Sequence, residues 1–332
     1  MKRAILVGID NYPTIGSLQG CVNDAAALSA MLSSNADGSP NWDTELVTSD
    51  TGPEITRDLL RNKLAKLFTN AKGADLLFFF AGHGGQTLWG ADLVTQDASE
   101  FSLGVSMDDL INLANSSPAN SVTLLLDCCF SGDTGNTPAL QSAGVAENFR
   151  LSKAVLRENV TVLAASRATE TSAEVDGQGA FTRILLDGLA GGATDHRGNI
   201  TSLSLYAFIS PTFDAFQQRP VLKAHVVEPV VLRVGPPWLD PDLLRQLPEH
   251  FPTADHRLQL TPAHEGAGRP LPPGTGGTFE QQEFDYAGRL RNANLVTTDD
   301  RRDHYWVAME SGHVYLTPLG RYFWDLANRG RL

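Results

Sequence analysis

The chain opens by alternating short runs of consecutive apolar residues with longer stretches in which apolar residues recur every three or four positions. Arg3–Ile9 is an apolar run that closes on Gly8-Ile9-Asp10-Asn11, the pattern of a buried strand entering a loop. Asn23–Ser33 carries Ala and Leu at helical spacing, with Asp24 near its start, where an acid suits the helix dipole. Glu45–Ser49 reads as a second strand. Thr56–Asn70 reads as an amphipathic helix with Leu59, Leu60, Leu64, Leu67 and Phe68 on one face. Asp75–Ala81 and Ser121–Leu126 are continuously apolar, as strands covered on both faces of a parallel sheet must be. Between them Ser106–Asn115 has helical periodicity, with Ser106 as its cap. Val160–Ala165 and Val226–Val234 read as further strands, and Phe181–Leu189 and Ser202–Phe216 as helices. Strands separated by helices predict an α/β fold class, a three-layer α/β/α sandwich with a mostly parallel sheet.

After Gly235 the pattern breaks. Residues 236–278 are rich in Pro, Gly and His and read as a linker, with one short helix near Asp240–Leu247. Periodicity returns at Phe279: a helix over Phe284–Leu290, two strands over Tyr305–Met309 and His313–Leu316 around Ser311-Gly312, and a helix over Leu319–Ala327. The expected organisation is therefore a domain over 1–235, a linker over 236–278 and a small α+β segment over 279–332. That last segment resembles the wing and following helix of winged-helix modules. Asp299, Asp300 and Asp303 stand among its arginines, which favours a regulatory protein partner over DNA.

Composition narrows the function classes. A net charge of −12 argues against non-specific binding to nucleic acid or an anionic membrane. The apolar run after Met1-Lys2-Arg3 is too short for a signal peptide and is interrupted by Asp10, so it reads as a strand, and no run approaches the length of a membrane span. Three cysteines, two of them adjacent, are no disulfide framework, and a reducing, cytoplasmic compartment is expected.

Two of the apolar runs end in reactive side chains. Phe78-Phe79-Phe80-Ala81-Gly82 stops at His83, which Gly84 and Gly85 follow; Leu124-Leu125-Leu126-Asp127-Cys128-Cys129 runs into Phe130-Ser131-Gly132. Functional residues of parallel α/β sheets gather at the carboxyl ends of strands, so neighbouring strands would bring His83 and Cys129 together. A thiol is mostly protonated at neutral pH, and an adjacent imidazole can take its proton or stabilise the thiolate. A lone cysteine or histidine is ordinarily a packing residue; two at equivalent strand ends point to a thiol nucleophile and its base. No second Cys/His pair has zinc-ligand spacing.

Four ordered blocks resemble the caspase-like peptidase family, its metacaspase and bacterial branch more than animal caspases. They are Ala4–Tyr12, Leu18-Gln19-Gly20-Cys21-Val22-Asn23-Asp24-Ala25, Phe79–Gly84 and Leu126–Gly132; Gly177–Leu189 is similar to the family's small-subunit region. The interval of 46 residues between His83 and Cys129 is close to the roughly 50 typical of caspases. The resemblance spans about residues 1–234 and implies a regulated cysteine endopeptidase acting in defence or cell death. The family pattern Asp-x-Cys-x-Ser-Gly selects Cys129 as nucleophile and leaves Cys128 as packing. It further implies oxyanion donors on the N–H groups of Gly84 and Cys129, and cleavage of protein substrates after Arg or Lys, read by Asp24 and Asp127 with Cys21 beside them. Self-processing at Arg150, Lys153 or Arg157 is expected from the polar stretch after the nucleophile. The chemistry requires no cofactor; calcium held by Asp97, Asp108 and Asp109 is the one ion the resemblance suggests.

Overall fold

The computed structural model describes residues 1–87, 90–99, 102–129, 155–165, 178–213, 220–265 and 278–332; of Gln86, Thr87 and Cys129 it describes the backbone. The chain forms two compact units, one of Met1–Thr194 with Asn199–Pro236, the other of Asp195–Gly198 with Pro237–Leu332.

The first unit is built on an eight-stranded sheet. β1 (Lys2–Gly8), β2 (Asp43–Thr48), β3 (Asp75–Thr87), β6 (Ser121–Cys129) and β7 (Val160–Ala164) run parallel in the order β2-β1-β3-β6-β7. β9 (Val221–His225) closes the edge antiparallel to β7. Strand alternation sorts the core into two layers. Phe78, Phe80, Leu124, Leu126 and Cys128 pack towards α2 (Arg57–Thr69) and α3 (Met107–Ser116). Leu77, Phe79, Ala81, Leu125 and Leu163 pack towards α1 (Cys21–Ser33), α4 (Ala180–Asp187) and α5 (Ser202–Ile209). Both faces are covered, which is why the central strands carry apolar residues at consecutive positions, as in Leu76–Ala81 and Leu124–Leu126, rather than at alternate ones. Each fully buried Phe or Leu contributes about 1.5–3 kcal/mol.

Caps fix the helix starts. Thr56 accepts from Leu59 N–H and Ser106 from Asp109 N–H. α1 begins two residues before the expected Asn23. Its first amides, Cys21 and Val22, donate to the Asp10 carboxylate at 2.8 and 3.2 Å, and Gly8, lacking a β-carbon, lets β1 approach the Cys21 carbonyl.

Three local expectations give way. The second half of β3 leaves the parallel sheet and pairs antiparallel with β4 (Gly90–Ser99), which pairs with β5 (Ser102–Ser106). The strand expected over Val226–Val234 is interrupted at Pro229, which has no N–H to donate. β9 precedes that proline, and β10 (Val231–Val234) follows it and pairs with β8 (Asn199–Thr201). Most of the helix expected up to Phe216 ends at Ile209, and residues 214–216 lie outside the described residues.

The second unit starts well before Phe279. The stretch expected as a linker carries α6 (Pro241–Arg245), α7 (Leu247–His250), β11 (Arg257–Gln259) and α8 (Pro262–Glu265). Leu244, Leu247, Phe251 and Leu260 of that stretch share a core with Tyr286, Leu290, Val307, Val314 and Phe323. After it come α9 (Phe279–Asn292), β12 (Val296–Thr298), α10 (His304–Met309), β13 (His313–Leu316) and α11 (Pro318–Asn328). The expected strand over Tyr305–Met309 is α10, capped by the Asp303 carboxylate on Tyr305 N–H. The strands order as β11-β13-β12, all antiparallel, so β13 pairs with β11 and β12 instead of making the expected two-stranded wing. Among the described residues no helix is long and apolar enough to cross a membrane.

Candidate active site

The parallel pairing of β3 and β6 continues to the last residue of β6, just before β3 turns to pair with β4: Phe80 lies abreast of Leu126, Ala81 of Asp127, Gly82 of Cys128 and His83 of Cys129. The two apolar strands thus deliver the imidazole-bearing residue and the thiol-bearing residue to one register position at the carboxyl edge of the sheet.

His83 is held by Gly16 and Tyr12 and is 3% exposed. Its Nε2 lies 2.6 Å from the Gly16 carbonyl. A carbonyl can only accept, so Nε2 carries the proton and Nδ1 is the basic nitrogen. The His83 backbone N–H donates to the Tyr12 hydroxyl at 3.0 Å, and the two rings sit 4.8 Å apart. Gly82 makes that approach achievable, because an added β-carbon would lie 2.6 Å from the Tyr12 hydroxyl oxygen. Burial pushes the Tyr12 hydroxyl well above its ordinary range, so it stays a neutral phenol. The loop between β1 and α1 that carries Gly16 is tied down along its length. Leu18 N–H donates to the Asp10 carbonyl, the Thr14 hydroxyl to the Ala98 carbonyl at 3.1 Å, and the Gln96 side chain to the Asn11 carbonyl at 2.9 Å. Gly84 is buried and pairs with Leu93 of β4, at the point where β3 turns from one sheet partner to another.

Asp24 and Asp127 come together although 103 residues separate them. Asp24 projects from the first turn of α1 and is 2% exposed; Asp127, two residues before Cys129 on β6, is 6% exposed. Both reach Gly179: its N–H donates to Asp24 Oδ2 at 3.1 Å, and a β-carbon added there would lie 2.8 Å from Asp127 Oδ2 and 2.9 Å from Asp24 Oδ2. The Thr182 hydroxyl donates to Asp127 Oδ2 at 2.6 Å. Cys21, the first residue of α1 and one turn before Asp24, is buried, and Cys128 is buried in the α2/α3-facing core. Gly16, Tyr12, Gly179 and Thr182 are the contributors sequence reasoning missed. A carbonyl or an amide acting through its backbone leaves no side-chain signature, whereas the hydroxyls of Tyr12 and Thr182 stood inside the quoted motifs.

The expected calcium carboxylates have other employment. Asp97 accepts from Arg57 N–H at 2.9 Å and from the Thr95 hydroxyl at 2.6 Å, and Asp109 forms an ion pair with Arg61. Asp108 caps the first turn of α3 electrostatically. Among the described residues no group of three or more His, Cys, Asp or Glu side chains is arranged to hold a metal ion. Of the expected self-processing residues, Arg150 and Lys153 lie outside the described residues. Arg157 is no free loop residue: its guanidinium donates to the carbonyls of Ala114, Ala119 and Glu158, and its N–H to the Asn115 side chain. Cleavage after Arg157 would have to undo those four contacts first.

A family model for the caspase domain of peptidase family C14 matches residues 1–230. Metacaspase-1 of Ajellomyces capsulatus is 30% identical over 167 residues, 46% of this chain and 47% of that protein. Metacaspase-1A of Aspergillus fumigatus is 30% identical over 167 residues, 46% of this chain and 40% of that protein. The match thus spans about half the length of these relatives or less. Among solved structures, a protein of Geobacter sulfurreducens aligns at a TM-score of 0.49 and 17% identity, over 71% of this chain and 97% of that one. Caspase-1 of Spodoptera frugiperda aligns at 0.45 and 11%, over 70% and 90%.

Proposed function

The chain belongs to the caspase-domain family of cysteine peptidases, and on that premise we propose that it is an endopeptidase cutting protein substrates after Arg or Lys. Cys129 is its nucleophile and His83 its general base. The observation that carries the reading is the register of β3 on β6, with His83 abreast of Cys129 two residues beyond the Asp127 position. The chemistry then follows from the proton inventory. The Gly16 carbonyl holds the Nε2–H, so Nδ1 accepts the thiol proton as sulfur attacks the scissile carbonyl. The N–H groups of Gly84 and Cys129 are the donors for the oxyanion that forms. Collapse expels the amine, which takes the proton back from Nδ1. Water, losing a proton to Nδ1, attacks the resulting thioester and frees the carboxylic acid and the thiol.

Asp24 and Asp127 supply the negative potential that favours a P1 cation, and Cys21 borders them at the start of α1. The steps need no cofactor; a calcium requirement through Asp97, Asp108 and Asp109 is a separate question for the assay. A cysteine content too low for a disulfide framework suits a reducing, cytoplasmic compartment. A regulated role in defence or cell death, with the second unit meeting a protein partner, rests on family analogy.

The test is turnover of fluorogenic peptides bearing P1 Arg, Lys or Asp, with and without calcium, beside Cys129→Ala. Turnover of the Arg and Lys peptides that vanishes in the variant is expected. Cleavage after Asp alone would remove the basic specificity, and function retained by Cys129→Ala would favour a caspase-fold scaffold without catalysis.

A further inference from the structure

Two donors to the carboxylate pair come from the start of α4, an element the peptide-cleaving steps do not use. Gly179 caps α4 and gives its N–H to Asp24; Thr182, one turn along, gives its hydroxyl to Asp127 Oδ2. Thr182 is fully enclosed, 0% exposed, on a helix that buries Phe181 and Leu185 beside it. Valine would fill the same volume among such neighbours, so packing does not account for the hydroxyl; its hydrogen bond to Asp127 does. Gly179 has a matching constraint. Any side chain would drive a carbon against both carboxylates, so the backbone can approach only because the residue is glycine. Two like charges gathered on one point repel, and the amino end of an α-helix carries the partial positive charge that offsets that repulsion.

We propose that Thr182 is a specificity-determining positioning residue: with the Gly179 N–H, its hydroxyl fixes Asp24 and Asp127 at the spacing that receives one P1 cation. The inference rests on the reading of that pair as the P1 site. It does not depend on the Cys129 chemistry.

Two readouts separate these claims. One is kcat and KM on a P1-Arg peptide. The other is calorimetric binding of agmatine, which presents a guanidinium on an alkyl chain, to protein carrying Cys129→Ala. Thr182→Val is expected to raise KM and the agmatine Kd roughly tenfold, the scale of one lost hydrogen bond to a charged group, with the loss in KM and not kcat. Thr182→Ser keeps the donor and should restore both to within about threefold of the parent, which also guards against a folding defect in the valine variant. Gly179→Ala should weaken both in the same sense. The inference is overturned if Thr182→Val leaves KM and Kd unchanged, if its loss lies in kcat alone, or if serine fails to rescue. It is equally overturned if Gly179→Ala binds agmatine more tightly, since the α4 start would then obstruct the site. Agmatine binding that depends on Thr182, in a protein that cleaves no peptide, would uphold this inference while removing the proposed dyad. Absence of both agmatine binding and Arg turnover would remove the P1 site and the inference together.

Discussion

The carboxylates of Asp24 and Asp127 in the first unit and of Glu283 in the second are buried to similar depth, yet their surroundings differ in kind. Glu283, on α9, has one oxygen 3.1 Å from His250 Nδ1 of α7 and the other 3.3 Å from His264 Nε2 of α8. His264 Nδ1 accepts from Thr261 N–H, so its proton sits on Nε2, facing Glu283. One acid thereby ties three helices, each oxygen with its own histidine. Asp24 takes a backbone N–H and Asp127 a hydroxyl from one helix start. Asp127 stands at the end of β6, two residues before Cys129, where that strand lies abreast of His83. The contrast teaches that depth of burial does not distinguish a clamp from a site; what distinguishes them is whether the group ties elements together or stands beside reactive groups.

The comparison can be broken at its largest effect first. His83→Ala is expected to lower kcat/KM on a P1-Arg peptide by roughly a thousandfold, the range for removing a general base, while Glu283→Gln leaves it within about twofold. Equal losses would erase the distinction between the two regions. Next, Asp127→Asn should cost about thirtyfold or more in kcat/KM for the Arg peptide, the scale for truncating one partner of a buried charge pair, with Asp24→Asn acting in the same sense. Glu283→Gln presents an amide donor to a histidine donor and should destabilise the second unit by about 1–3 kcal/mol. Amide hydrogen exchange in α8 and α9 would read that as faster opening, with the first unit's strands unaffected.

The smallest expected effect is one of pH. Burial holds the His304 imidazole below its usual range; Nε2 lies 3.0 Å from the Phe284 carbonyl, and Nδ1 is buried without a hydrogen-bond partner among the described residues. The folded unit therefore prefers neutral His304. Its stability contribution is complete above the unfolded histidine value near 6.5 and falls as pH drops below it. Hydrogen exchange of α9 and α10 at two pH values either side should show this loss, and His304→Gln should flatten it.

How much of this was legible follows from where the information sits. β1, β3, β6 and β7 were readable because a strand covered on both faces carries consecutive apolar residues, as in Ala4–Val7, Leu76–Ala81 and Leu124–Leu126. The β4–β5 hairpin was not, since its strands are broken by glycine; Gly104 packs against the Leu93 carbonyl, where a β-carbon could not fit. The stretch 237–265 looked like a linker because of its prolines. Pro241, Pro248 and Pro262 each stand in the first turn of a helix, where a missing N–H costs nothing. At the site, His83, Cys129, Asp24 and Asp127 announced themselves as side chains at strand and helix ends. The Gly16 carbonyl that fixes the imidazole proton is backbone chemistry, and only the fold brings it within 2.6 Å.

The central claim is that Cys129, and not the adjacent Cys128, attacks substrate with the help of His83. Labelling with a peptidyl-arginine chloromethyl ketone, mapped by mass spectrometry, tests it directly. The account predicts one label per chain, on Cys129, strongly slowed in His83→Ala and absent in Cys129→Ala. A label on Cys128 or Cys21, or a rate indifferent to His83, would contradict it.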